Sequence, residues 1–206
     1  MDTFQLFKSI SKHITLDAEE EKYLTSILLP MKVKQNEFIE HMNKVTRYFI
    51  NVNEGCLMTY YTDNEANDHV LQFATAGWWT GDLNSFIYGA PSIFSTKALS
   101  DSSVLLIPKA QMDELLERYP KFEKYFRIIF QNSLITHQQR ILQNFSMSAE
   151  GRYQNFLEKY PTLEQFVPQK FIASYLGITP EFLSKVRRKL MERLYLIQVK
   201  STSCFP

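Results

Sequence analysis

The chain has 206 residues, 45% of them apolar and 22% charged, a globular composition with ample material for a buried core. The net charge of +1 hides a split: residues 1–145 carry 14 Lys and Arg against 17 Asp and Glu (net −3), and residues 146–206 carry 9 against 5 (net +4). Two cysteines, Cys56 and Cys204, argue against a disulfide scaffold or a cysteine zinc site. No secretory leader is expected, and no apolar run reaches the about 18–20 residues of a membrane span. Six scattered glycines form no phosphate-cradling loop. A cytoplasmic protein with no membrane partner is expected.

Residues 1–29 predict helix, with Phe4, Phe7, Ile10, Leu16, Tyr23, Leu24, Ile27 and Leu28 near helical spacing. Asp17 followed by Glu19, Glu20 and Glu21 reads as an N-cap with an acidic first turn. Pro30 ends that helix. From Val33 to Pro108 short β-prone runs recur at Glu37–Ile39, Arg47–Ile50, Leu57–Tyr61, His69–Phe73, Ser95–Ala98 and Val104–Ile107, parted by turn-rich stretches. That spacing predicts an antiparallel, jelly-roll-like β-roll over residues 1–118.

Residues 119–145 predict a long helix, roughly 25 residues or about 38 Å. Phe122, Phe126, Phe130, Leu134, His137, Ile141 and Phe145 form one apolar line, and Ile128, Ile135 and Leu142 a second. Two such faces need two partners: the roll for one and a second copy of the helix for the other. The alternative is a helix packed wholly within one subunit. Ser146-Met147-Ser148 breaks the pattern, and residues 146–206 form the last division.

The most specific signal is QKFIASYLGITPEFLSKVRR, residues 169–188. Ile172, Ala173 and Leu176 bury one face of a first helix, and Gly177 ends it where a tight turn needs positive φ. Thr179 as N-cap, Pro180 at the first helical position and Glu181 in the first turn start a second helix. Leu183, Val186 and Leu190 give that helix an inner face. Small Ala173, four residues before Gly177, allows close approach, so the pair reads as a helix-turn-helix. Its outward face carries Thr179, Pro180, Glu181, Ser184, Lys185 and Arg188. Glu181 suits a cytosine amino group, and Lys185 or Arg188 suits guanine or phosphate. Gln169 and Lys170, opening the first helix, suit phosphate. Five cations, Lys185, Arg187, Arg188, Lys189 and Arg193, fall within nine residues. Leu196, Ile197 and Val199 predict one strand of an abbreviated wing, leaving Cys204 an inert terminal residue.

With a roll, a long helix and a C-terminal helix-turn-helix in that order, the chain resembles the Crp/Fnr family of transcription regulators. The resemblance rests on Glu54-Gly55, Gly81-Asp82-Leu83, GRYQNFL at residues 151–157 and, above all, residues 169–190. It implies an α+β fold: a cyclic-nucleotide-binding-like roll, a dimerisation helix and a winged helix-turn-helix. It also implies a homodimer on palindromic double-stranded DNA, with RNA polymerase as a further candidate partner. The effector-pocket candidates are Gly81, Asp82, Leu83, Asn84, Ser92 and Ile93, with His137 and Gln138 on the long helix presenting groups to the effector or to the dimer seam.

The resemblance stops short of the cyclic-AMP-responsive members. Those carry Gly-Glu-Leu and, about ten residues on, an Arg-Ser that grips the ligand phosphate. Here Asp82 stands for Glu, and Ser92 and Ile93 stand for Arg-Ser. No forked guanidinium is present, and Lys97 is the nearest cation. The small-molecule effector therefore stays open between an unidentified ligand and an empty, relic roll with constitutive DNA binding. The N-terminus lacks the cysteine cluster of an iron–sulfur branch, and Cys56 and His69 read as ordinary residues rather than haem ligands. Four isolated histidines without an HxH pair argue against a jelly-roll metalloenzyme. No cofactor and no catalysis are expected.

Overall fold

The computed structural model describes the backbone of residues 2–202 and the side chains of residues 2–193. The chain divides into two compact units, residues 1–136 and 137–206. The first opens with α1 (Phe4–Ile10) and α2 (Ala18–Ile27). Asp17 caps α2 reciprocally: its carboxylate accepts from the Glu20 N–H at 2.9 Å, and Glu20 accepts from the Asp17 N–H at 2.8 Å.

Eight strands follow: β1 (Leu29–Val33), β2 (Phe38–Glu40), β3 (Tyr48–Glu54), β4 (Cys56–Thr62), β5 (Asp68–Thr75), β6 (Trp79–Thr80), β7 (Ser95–Ala98) and β8 (Ser102–Pro108). They form two antiparallel four-stranded sheets, in the orders β1-β8-β3-β6 and β2-β7-β4-β5. The six predicted strands are present. Pro30 sits inside β1, and the short β6 had no alternating pattern to announce it.

Strand alternation sorts the core into two layers. Ile50, Val52, Val104 and Leu106 pack with Val33, Leu57, Ala74 and Ala98 in one cluster. Phe49, Leu105 and Ile107 point the other way, into a second cluster with Leu6, Ile10, Leu24, Met112 and Leu115. The first sheet is thus covered on both faces. Trp79 stacks on Phe49 with ring centroids 4.8 Å apart, so the tryptophan is core. Gly55, at φ +88°, turns β3 into β4. A Cβ there would lie 2.7 Å from the Asp101 carbonyl oxygen, closer than any side chain tolerates.

Between β6 and β7 lies α3 (Leu83–Tyr88), and after β8 come α4 (Lys109–Arg118) and α5 (Lys121–Ser146). The long helix matches its prediction closely. Phe122, Tyr125 and Phe126 bury its first turns, and the Tyr125 hydroxyl accepts from the Trp79 indole N–H at 3.0 Å. Leu134, Ile135, Ile141, Leu142 and Phe145 stay exposed, Phe145 at 85%.

The second unit contains the end of α5, then α6 (Ala149–Lys159), a 3-10 turn at Leu163–Gln165, α7 (Gln169–Leu176) and α8 (Pro180–Thr202). The expected wing strand at Leu196–Val199 is not formed; that backbone continues α8. The physical reason lies in the sequence. No Gly or Pro interrupts residues 181–202, and a short apolar run carries no periodicity that separates strand from helix. Cys204 lies outside the described residues.

Candidate nucleic-acid interface

Ser148 starts α6 by accepting the Gly151 N–H at 3.2 Å; the long helix ends at Ser146, while the two compact units divide earlier, between residues 136 and 137. Arg152 of the GRYQNFL stretch then donates to the Asn144 and Met147 carbonyls at 3.3 and 3.1 Å. It supplies the end of α5 with donors that a helix C-terminus lacks. Phe156, Tyr160, Leu163 and Val167 join Phe171, Ile172, Ala173, Leu176, Leu183 and Val186 as buried side chains. Ala173 is fully buried, at the position predicted to allow close approach.

Gly177 adopts the left-handed conformation, φ 65° and ψ 38°. The Ile178 N–H donates back to the Ala173 carbonyl at 3.0 Å and the Gly177 N–H to Ser174 at 3.1 Å, the closure of a Schellman-type end. Thr179 then opens α8: its hydroxyl accepts the Phe182 N–H at 3.2 Å, and its carbonyl accepts the Leu183 N–H at 2.9 Å. The Glu181 carboxyl is held below the usual carboxylate range by its own backbone N–H and by the Thr179 hydroxyl.

All eight residues expected to meet DNA are exposed: Gln169, Lys170, Thr179, Pro180, Glu181, Ser184, Lys185 and Arg188. The structure also brings the two helices' contributions together. The Ser184 hydroxyl lies 3.4 Å from Gln169 Oε1 and 3.0 Å from the Pro180 carbonyl. The five-cation run, by contrast, is not one uniform face. Arg187 pairs with Glu164 at 2.8 Å, and Glu164 also accepts from the Tyr153 hydroxyl. Lys189 and Arg193 both pair with Glu150, at 3.0 and 2.5 Å. Lys185 and Arg188 make no ion pair among the described residues. Sequence reasoning had no signal for these acids; Glu150, for one, sits 39 and 43 positions from Lys189 and Arg193.

The candidate effector residues fall in two places. Gly81, Asp82, Leu83, Asn84, Ser92 and Ile93 lie in the first unit around α3, while His137 and Gln138 belong to the second unit. His137 is half-buried, and burial, then Arg140 and Lys159, lowers its pKa. Asp82 is buried and committed. It caps α3 by accepting the Ser85 N–H at 3.1 Å, and its other oxygen accepts the Ser92 hydroxyl at 2.9 Å and the Ile93 N–H at 3.2 Å. Leu83, Asn84 and Ile93 are exposed and Ser92 is buried. Lys97 packs over the rings of Tyr60 and Phe38.

One group near this segment was missed from sequence. Glu40 accepts from the Thr96 hydroxyl at 3.2 Å, and Thr96 continues through Thr59 to Thr80 at 3.0 and 2.8 Å. Burial raises the Glu40 carboxyl to about 7, opposed by hydrogen bonds from Thr46 and Thr96 and assisted by the Asp82 charge. Its Oε1 has no hydrogen-bond partner among the described atoms. Cys56 is buried, its thiol pushed up to about 12 by desolvation, which suits an inert side chain. Among the described residues, no group of three potential metal-ligating side chains is found, and no helix is long and apolar enough to cross a membrane.

Residues 30–119 match the family model described as the cyclic nucleotide-binding domain. No curated protein matches in sequence. FixK2 from Bradyrhizobium japonicum superposes with a TM-score of 0.71 at 16% identity, over 81% of this chain and 86% of FixK2. The c-di-GMP-responsive global regulator CLP of Xanthomonas campestris gives 0.70 at 12% identity, over 86% and 93% of the two chains. A crp/fnr-family transcriptional regulator from Eubacterium rectale gives 0.67 at 18% identity, over 86% and 85%. The chain carries the fold of the Crp/Fnr transcription regulators, with a cyclic-nucleotide-binding-type roll at residues 30–119.

Proposed function

We propose that the chain is a sequence-specific DNA-binding transcription regulator that acts as a homodimer. The observation that carries this reading is the exposed, capped first half of α8. Glu181, Ser184, Lys185 and Arg188 face solvent there, while the neighbouring Arg187, Lys189 and Arg193 are held by acids of their own unit. Glu181, Ser184 and Lys185 read bases, and Gln169, Lys170 and Arg188 take phosphates. Selection from a random duplex library tests it. The expected product is a two-fold symmetric site with half-sites roughly 34 Å apart, bound with a steep salt dependence. A library that yields no enriched sequence overturns the reading.

The dimer seam is assigned to α5. Leu134, Ile135, Ile141, Leu142 and Phe145 are exposed along it, from 49% to 85%, an apolar surface that a second copy would cover. Sedimentation of wild type and Leu142→Glu reads this directly: a dimer that becomes monomer is expected, and a wild-type monomer at micromolar concentration counts against it.

The roll is assigned no cyclic nucleotide. The Ser85 N–H, Ser92 hydroxyl and Ile93 N–H, the donors an anionic ligand would use, already serve the Asp82 carboxylate. That arrangement favours the second reading, a ligand-free roll with constitutive DNA binding. Equal operator affinity with ligand-free protein and with added small-molecule cell extract is its expected signature. A shift of more than a few-fold would restore an effector.

A further inference from the structure

Among the described side chains of α8, Phe182 and Met191 are large, apolar and exposed, and Phe182 is the one in the first turn. Phe182 is 48% exposed in the first turn of α8, its backbone fixed by the 3.2 Å bond to the Thr179 hydroxyl. Leu183 and Val186, 0% and 7% exposed, already supply the inner face. Phe182 follows Glu181 directly and precedes Lys185 by three positions, which puts it beside Lys185 on the helix surface. A recognition helix presents the residues of its N-terminal part to base edges. The apolar feature of the major groove is the thymine C5-methyl group, which phenylalanine contacts by burial rather than by hydrogen bonding.

We propose that Phe182 is a specificity-determining residue that packs on a thymine methyl in each half-site. The inference rests on the DNA-binding reading above and adds a base identity to it. Side chains three apart on a helix are about 5–6 Å apart, so the thymine lies within two base pairs of the pair that Lys185 meets. The same helix turn therefore reads a polar edge through Lys185 and Glu181 and an apolar one through Phe182.

The test uses the full-length protein and the duplex selected from the random library. Each thymine of a half-site is replaced in turn by deoxyuridine, which removes the methyl group and leaves every hydrogen-bonding edge intact. Wild type is expected to lose about fourfold in affinity at one thymine per half-site, the value of one buried methyl-sized group. That position should lie within two base pairs of the one where Lys185→Ala relaxes base preference. Phe182→Ala, checked for folding by its circular-dichroism melt, should bind the thymine and deoxyuridine sites equally. Phe182→Leu should keep part of the difference.

Wild type that binds every deoxyuridine duplex as tightly as its thymine parent overturns the proposal, even with a well-defined operator in hand. So does Phe182→Ala that retains the full discrimination. Failure to select any operator overturns the DNA-binding reading itself, and this inference with it.

Discussion

The roll and the helix-turn-helix unit treat their polar groups in opposite ways. Around α3 the hydrogen-bonding capacity turns inward: Asp82 gathers the Ser85, Ser92 and Ile93 donors. On α8 the first half turns outward, with Glu181, Ser184, Lys185 and Arg188 in solvent. Among the described residues, the cations that internal acids engage there are Arg187, Lys189 and Arg193, not Lys185 or Arg188. A surface suited to a charged partner leaves cations such as Lys185 and Arg188 outside the ion pairs of its own unit. A site whose donors are satisfied by the chain's own carboxylate serves folding first. The same fold therefore carries one polar cluster suited to stability and another suited to recognition.

The largest expected effect tests the inward half of that contrast. Asp82→Ala leaves three donors without their charged acceptor and should cost about 3–5 kcal/mol of stability, read from the urea midpoint of the full chain. A loss under about 1 kcal/mol would mean that water replaces the carboxylate easily and that the cluster is less closed than its geometry implies. The outward half is probed by Lys185→Ala, which should weaken operator binding by about 1–3 kcal/mol if the side chain meets a base. Stability should be nearly unchanged, since Lys185 is exposed. An equal loss on every DNA sequence would reassign Lys185 to phosphate.

A third effect depends on pH. The Glu40 carboxyl sits at about 7 in the folded chain against an ordinary 4.5, so the fold prefers its protonated form. Its stabilising contribution is complete below pH 4.5 and is lost as pH rises toward 7, on the order of 1 kcal/mol per pH unit in between. Glu40→Gln should remove that component of the slope, measured by urea unfolding at pH 5, 6 and 7. An identical slope in the variant would assign the pH dependence elsewhere. The smallest effect separates backbone geometry from recognition chemistry. Gly177→Ala should cost about 1 kcal/mol through its left-handed backbone, because the added Cβ meets only an ordinary contact, Asn144 Oδ1 at 3.9 Å. A much larger loss would show that the turn is tighter than this geometry.

The helix-turn-helix was legible because its signals are local. Gly177, Thr179 and Pro180 each set a backbone conformation within a residue or two, and the apolar spacing of Ile172, Leu176, Leu183 and Val186 fixes which faces turn inward. The capping box at Asp17 was half-visible for the same reason. The Glu150 and Glu164 pairings were invisible, since they depend on how α6 and the 3-10 turn pack against α8. Asp82 was recognised as a position in a family pattern, but its acceptance of three donors comes from a loop closure ten residues long. The wing was misread because Leu196, Ile197 and Val199 suit a strand or a helix equally, and the uninterrupted helix-forming stretch before them decided the matter.

The threonine line inside the roll has a directional consequence. When Glu40 is ionised, Thr96 must donate to it, so Thr59 must donate to Thr96 and Thr80 to Thr59. Each hydroxyl owns a single proton, and one charge at the end orders the whole row. Once Glu40 gains a proton it can donate to Thr96, and the row can run the opposite way, with the Thr96 hydroxyl donating to Thr59 and the Thr59 hydroxyl to Thr80. A single protonation thus converts a polarised row into a reversible one, without any heavy atom leaving its place.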